Sequence, residues 1–321
     1  MVNGSGHSTV LITGGAGFIG ANLCRRLVAS EWCSRVLVLD DLSSGTAANL
    51  AGLEVELVEA SLLDEVVVTK VVAQADAVVH LGARGSVPRS IADPLTTFRI
   101  NVTGTLNVLE AARHTGLPQV IFASSSSVYG ANPVLPKSED LAPRPMSPYA
   151  ASKLSAESTV LAYGASYDLN VVPFRFFNVF GPLQPANHVY AAVIPRFVAA
   201  ALKHEALTIF GDGLQSRDFT YVSTVVDVIE RALITDLSTA EPLNLAFGNN
   251  ITLLEVVAML EKELGRPLRV NHEEPRLSDV RHSQADNTRL CRYFPDLAPV
   301  DLAQGLACTV AWMRDQVPTP P

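Results

Sequence analysis

Short apolar runs alternate with longer amphipathic stretches through the first half of the chain. Thr9-Val10-Leu11-Ile12-Thr13 reads as a buried strand, followed by a glycine-rich turn and a helical pattern through Leu23, Leu27 and Val28. The strand signature returns at Arg35–Leu39, Val55–Val58, Ala77–His80, Val120–Ala123 and Asn170–Phe174. Between these, Leu95–His114 and Tyr149–Tyr167 carry helical periodicity. Apolar strands separated by helices are the rhythm of a sheet covered on both faces. The expected fold is α/β, a doubly wound, Rossmann-like parallel sheet. Past Gly181 the rhythm breaks at Pro182, Pro185 and Pro195 into shorter elements. We therefore expect one domain over residues 8–180, with later sheet strands returning from the C-terminal half, and a smaller region over 181–316. No internal repeat is visible, and Met1–His7 and Val317–Pro321 read as disordered ends.

The turn after the first strand has glycines at 14, 17 and 20, the spacing G-x-x-G-x-x-G. Strand, glycine turn and helix in that order aim backbone N–H groups and a helix N-terminus at a phosphate, the entrance of a dinucleotide fold. Alone, the spacing also suits an ordinary strand-to-helix turn. The second strand decides between them, because it ends in Asp40-Asp41, about twenty residues past the last glycine. An acid there bonds the ribose hydroxyls of NAD and repels the 2′-phosphate of NADP. NAD is the expected cofactor.

Ser147-Pro148-Tyr149-Ala150-Ala151-Ser152-Lys153 puts a phenol and an ammonium four residues apart, on one face of a helix. A phenol near its usual pKa of about 10 is a poor base at neutral pH, and a cation beside it favours phenolate. Ser124 to Ser127 follow a strand, at the carboxyl edge where such sheets bind ligands.

Composition narrows the setting. Charged residues are 17% of the chain, below the roughly 25% of average soluble domains, which implies a large core and an apolar subunit interface. A net charge of −8 and a pI near 5.4 argue against a nucleic-acid surface. No apolar run reaches transmembrane length and no signal-peptide pattern is present, so no membrane partner is expected. Cys24, Cys33, Cys291 and Cys308 show no C-x-x-C or zinc spacing, and no histidines pair as metal ligands. We expect reduced thiols, no metal and a cytoplasmic enzyme.

Together these motifs resemble the extended short-chain dehydrogenase/reductase family, and within it the NAD-dependent nucleotide-sugar epimerases and dehydratases. The resemblance covers nearly the whole chain. It includes Leu39-Asp40-Asp41-Leu42-Ser43-Ser44-Gly45, His80-Leu81-Gly82-Ala83, Asn101-Val102-Thr103-Gly104-Thr105 and Ser124 to Gly130. Farther on it includes Arg175 to Pro182 and Arg217-Asp218-Phe219-Thr220-Tyr221-Val222. It implies a cofactor site of Gly14, Gly17, Phe18, Ile19 and Gly20, with Asp40, Asp41, Ser43, Ser44 and Gly45. Ser61 and Leu62 join it after the third strand, then Leu81, Gly82, Ala83, Arg84, Asn101, Ser124, Tyr149, Lys153 and Phe177.

The same resemblance implies the chemistry. Ser125, four residues before Tyr129 of Val-Tyr-Gly, is the catalytic hydroxyl that bonds the sugar O4 and passes its proton to Tyr149. Lys153 binds the nicotinamide ribose and lowers the Tyr149 pKa. A UDP-sugar substrate would meet Gly85, Ser86, Ser125, Ser126, Ala192 and Val193. Asn178, Arg217 and Arg276 bond the diphosphate, Phe210 lines the uracil pocket, Asp279 bonds the uridine ribose and Ser283 faces the sugar's C2 substituent. Relatives pair their two long helices across a two-fold axis, so a homodimer is expected.

Departures matter too. Ser61 stands where relatives carry an aspartate for adenine, Gly82 replaces a common alanine, and Ser278 a frequent glycine. Ser126-Ser127 replace the Asp-Glu that dehydratases use to expel the C6 hydroxyl. The leading expectation is a 4-epimerase of UDP-N-acetylglucosamine or UDP-glucose. The alternative diverts the 4-ketose into elimination, as a UDP-GlcNAc 5,6-dehydratase of tunicamycin-type nucleoside-antibiotic biosynthesis does. A uronate epimerase is disfavoured, since no arginine follows Gly181-Pro182 before His188. A non-catalytic NAD sensor is the reading from another class; such proteins typically lose the Tyr or the Lys, and both are present here.

Overall fold

A computed structural model of the chain describes residues 9–186, 191–275 and 280–316. The chain divides into two compact units. The first takes in Met1–Asn132, Ala142–Phe176 and Val226–Asn244. Its strands are β1 (Thr9–Thr13), β2 (Arg35–Asp40), β3 (Val55–Glu59), β4 (Ala77–His80), β5 (Gln119–Ser125) and β6 (Asn170–Phe176). With the short strand Leu243–Leu245 they form one sheet in the order Leu243–Leu245, β6, β5, β4, β1, β2, β3. Every pairing from β6 across to β3 is parallel. Strand order runs outward in both directions from the β1–β4 pair, so the switch point lies at the carboxyl ends of these two strands. β4 is buried along its whole length, while β3 at the edge has only half-buried and exposed residues.

The helices of this unit are α1 (Phe18–Val28), α2 (Glu65–Val72), α3 (Val87–Ala92), α4 (Pro94–Phe98), α5 (Gly104–Thr115) and α6 (Pro148–Tyr167). Val68, Val71 and Val72 of α2 share one core with Val108, Leu109 and Ala112 of α5 and with Leu37 and Val78 of the sheet. α6 begins cleanly because the Ser147 hydroxyl accepts the Ala150 N–H and Pro148 occupies the first turn, where its missing N–H costs nothing. It ends at Asp168 in the left-handed conformation. One expectation changes. Leu95–His114 is not a single regular helix: a π turn over Arg99–Thr103 separates α4 from α5. The wider turn swings Asn101 inward, and its side chain is buried.

The second unit comprises Pro133–Leu141, Phe177–Val225 and Leu245–Pro321. Its strands come in short pairs. Val179–Phe180 lies parallel to Thr220–Tyr221, Leu207–Phe210 parallel to Val270–Glu273, and Ser216–Arg217 antiparallel to Ile251–Thr252. Helices Val193–Leu202, Leu253–Leu264 and Leu302–Gln316 bury Phe197, Val256, Leu260, Leu306 and Val310 against Phe180 and Ile209. Thr252 and Glu255 form a capping box at the start of Leu253–Leu264.

Candidate active site

In the first unit the predicted cofactor residues collect at the carboxyl ends of β1 to β5. Gly14 holds φ +70° and donates its N–H to the Leu39 carbonyl at 2.8 Å, which folds the turn over the end of β2. At Gly20 a Cβ would lie 2.3 Å from the Gly14 oxygen, so only glycine lets α1 start this close to the turn. Gly17 caps α1 without a side chain, and the helix opens with Phe18 and Ile19. Asp40 is buried and accepts the N–H groups of Ala16 (3.0 Å) and Leu42 (2.9 Å). Burial pushes its pKa up, while the two N–H bonds pull it down. Asp41 is exposed and accepts both the N–H and the hydroxyl of Ser43, beside the exposed Ser44 and half-buried Gly45. Ser61 accepts the Leu63 N–H at 3.2 Å, next to buried Leu62.

A bare helix N-terminus, a turn where a Cβ cannot sit and a buried carboxylate at the end of β2 suit the pyrophosphate and adenosine ribose of NAD. Past β4, half-buried Leu81 and Ala83 flank Gly82, whose N–H donates to Thr13 Oγ1 at 3.0 Å. Arg84 pairs with Asp93 at 2.7 Å. Asn101 accepts the Arg84 N–H at 2.7 Å and donates to Ser152 Oγ at 2.9 Å. Phe177 is buried in the second unit.

The catalytic candidates meet at the head of α6. Ser125 ends β5, and its Oγ accepts the N–H (3.2 Å) and hydroxyl (2.8 Å) of Ser127. The Ser125 hydroxyl lies near enough to the Tyr149 phenol to pull the phenol's pKa down. Lys153 is buried, donates to the Ala123 carbonyl at 2.7 Å and lies 5.0 Å from the Phe122 ring centroid. Burial pushes its pKa down to about 8.

The phenol departs from expectation. Burial pushes the Tyr149 pKa up, and the Ser125 bond offsets only part of that. Desolvation outweighs any help from Lys153, whose ammonium is turned to Ala123. Ser124 donates to Glu157 at 2.5 Å, and Ser126 is half-buried at the start of the turn Ser126–Tyr129. Gly85 is exposed. Ser86 holds φ +107°, unusual for a non-glycine residue, and its hydroxyl caps α3 by accepting the Arg89 N–H.

In the second unit a pocket of about 250 Å³ is lined by the predicted Asn178, Ala192, Val193, Phe210 and Arg217. Arg196 and Gln215 also line it and have no warning motif in the sequence. The Arg196 guanidinium stacks 5.6 Å from the Phe210 ring centroid and donates to the Thr208 carbonyl at 3.1 Å. Gln215 holds the Phe210 carbonyl at 2.7 Å. Arg217 donates to the carbonyls of Ser216 (2.8 Å) and Arg281 (3.2 Å). Asn178, at φ +27°, donates to the Asp218 carbonyl at 3.1 Å. Ser283 donates its N–H to the Ser216 carbonyl at 3.1 Å, which sets it beside the Arg217 strand but not among the pocket-lining residues. Arg276 and Asp279 lie outside the described residues. An aromatic wall with two guanidinium groups suits a nucleotide.

A family model described as "NAD dependent epimerase/dehydratase family" matches residues 10–246. A UDP-glucose 4-epimerase of Mycolicibacterium smegmatis is 38% identical over 313 residues, 95% of this chain and 98% of that protein. Among solved structures, a UDP-N-acetylglucosamine 4-epimerase from Methanobrevibacter ruminantium M1, in complex with UDP-N-acetylmuramic acid, superposes with a TM-score of 0.91. It is 35% identical, over 97% of this chain and 99% of that one. TunA, an NAD-dependent NDP-hexosamine 5,6-dehydratase involved in tunicamycin biosynthesis, gives a TM-score of 0.87 at 33% identity, over 96% and 98% of the two chains.

Proposed function

This chain belongs to the NAD-dependent epimerase/dehydratase family, and on that premise we propose that it is a 4-epimerase of a UDP-hexose, with UDP-N-acetylglucosamine preferred over UDP-glucose. It is an NAD-dependent nucleotide-sugar enzyme of the kind its relatives are. When bound, NAD supplies the hydride acceptor and a positively charged ring. Gly14, Gly17, Gly20 and the start of α1 hold its pyrophosphate, Asp40 its adenosine ribose and Lys153 its nicotinamide ribose. The pocket around Phe210, Arg196 and Arg217 takes the uridine diphosphate.

Ser125 receives the proton of the sugar O4 and Tyr149 takes it up as general base. Loss of that proton, together with departure of the C4 hydride to the acceptor that bound NAD would supply, leaves a ketone at C4. The ketose then presents its other face, and Tyr149 returns the proton through Ser125 as the hydride would come back to C4. The observation that carries this reading is the approach of the Ser125 hydroxyl to the Tyr149 phenol at the head of a turn whose next residues are Ser126 and Ser127. Expelling the C6 hydroxyl needs an acid and a base there, and neutral hydroxyls are neither. Re-reduction needs only that pair and the hydride that reduced NAD would return. The dehydratase reading is favoured by the likeness to TunA and to a dTDP-glucose 4,6-dehydratase of Streptomyces griseus, with which a 4-epimerase would share its first oxidation.

The preference for an N-acetylated sugar is supported by the small side chain at Ser283 and by the name of the M. ruminantium relative. A homodimer is supported by apolar side chains on α3 and α4, where Ile91 is 59% and Leu95 78% exposed. A cytoplasmic setting is supported by four cysteines without a disulfide. No helix among the described residues is long and apolar enough to cross a membrane. Tyr149→Phe tests the assignment of base. The variant should purify with NAD bound and show turnover lowered by about a thousandfold, within the range general-base loss produces. Near-parental turnover would remove Tyr149 from the mechanism.

A further inference from the structure

We infer that Glu157 is a positioning residue for the Tyr149 base, acting through a buried strap that ties α6 to the end of β5 and is locked from behind by Arg175. The inference rests on the reading of Tyr149 and Ser125 given above. Tyr149, Lys153 and Glu157 follow one another at four-residue intervals, so they occupy one face of α6. Three consecutive residues at the end of β5 each engage one of them. Ser125 adjoins the Tyr149 phenol, Ala123 accepts from Lys153 at 2.7 Å, and Ser124 donates to Glu157 at 2.5 Å. Of these three ties, only the one at Glu157 is anchored on its far side by a second charge. Arg175 of β6 grips the Glu157 carboxylate with Nε at 3.0 Å and Nη2 at 2.6 Å.

The network continues past Arg175. Its Nη1 donates to the Tyr129 hydroxyl at 2.9 Å, its guanidinium lies 4.8 Å from the centre of that ring, and Tyr129 donates to Asn244 Oδ1 at 2.6 Å. Tyr129 closes the turn that Ser125 opens, so both ends of the catalytic turn are held by one set of bonds. All five members, Ser124, Tyr129, Glu157, Arg175 and Asn244, are buried. Burying an ion pair is seldom better for stability than burying apolar residues of similar size. What a two-pronged guanidinium–carboxylate contact does add is direction, because it fixes the carboxylate plane and with it the roll and height of α6 on the sheet. A displacement of about 1 Å at reacting groups lowers rates about a hundredfold.

Two variants test the strap. Glu157→Gln keeps the size but opposes amide N–H groups to Arg175. Glu157→Leu/Arg175→Met removes both charges at once, so no ion is left unpaired and the core stays filled. For each, kcat and KM for the UDP-sugar, NAD content, UDP affinity and melting temperature are measured beside Tyr149→Phe. The inference requires kcat to fall about 10- to 100-fold in the double variant, with KM, NAD content and UDP affinity near parental and the melting temperature preserved. Parental kcat in the folded double variant would overturn it, as would a loss of activity that only follows lost NAD or lost fold. If Tyr149→Phe keeps turnover, the base assignment itself is wrong. If Tyr149→Phe is inactive while both Glu157 variants are parental, the base stands and the strap alone is refuted.

Discussion

Ser283 is fixed by its backbone, through the bond to the Ser216 carbonyl, and its side chain is short. The proposed role in admitting an acetamide therefore turns on volume. Ser283→Tyr should lower turnover of UDP-N-acetylglucosamine at least about tenfold while sparing UDP-glucose, since steric exclusion acts only on the larger sugar. Initial rates on both sugars check this, and unchanged rates on both would remove Ser283 from the substrate pocket. The same scale holds the clearest lesson about Tyr149. Its spacing from Lys153 is legible in the sequence, but its hydrogen-bond partner is a product of folding. So is the upward push that burial gives the phenol.

At the scale of elements, His80 joins three of them. Its Nδ1 lies 2.6 Å from Thr13 Oγ1 of β1 and its Nε2 3.0 Å from Thr105 Oγ1 of α5, while the residue itself ends β4. Burial pushes its pKa down to about 3, with the nearby Lys153 charge adding to the shift. The folded pKa lies below the unfolded one, so below about pH 6.5 the unfolded chain binds a proton that the folded chain refuses. This contribution is complete above pH 6.5 and is lost as the pH falls toward 3, amounting to a few kcal/mol at most. His80→Gln should therefore show a flatter decline of melting temperature between pH 6.5 and 4 than the parent. Parallel declines would show that His80 does not govern acid stability.

The strands of the sheet were readable because burial on both faces leaves uninterrupted apolar runs, as in Val10-Leu11-Ile12 and Val78-Val79. The π turn was not, because periodicity over Leu95–His114 carries no mark of the one residue that turns Asn101 inward. Glu157 was half legible. Its four-residue step from Lys153 is plain, but Arg175 reaches it only through the pairing of β5 with β6.

At the scale of the whole molecule, the proposed homodimer would cover the apolar side chains exposed on α3 and α4. Light scattering at micromolar concentration should give twice the 34.3 kDa of one chain. A monomer would contradict the proposed pairing. The central claim, however, is chemical: the C4 ketose is re-reduced and not eliminated. The most direct measurement is NMR of the products formed from UDP-N-acetylglucosamine by the purified enzyme in deuterated water. The account predicts the C4 epimer, with the hydrogen at C5 unexchanged and the oxygen at C6 retained. Deuterium at C5, or loss of the C6 oxygen to give an unsaturated sugar, would contradict it.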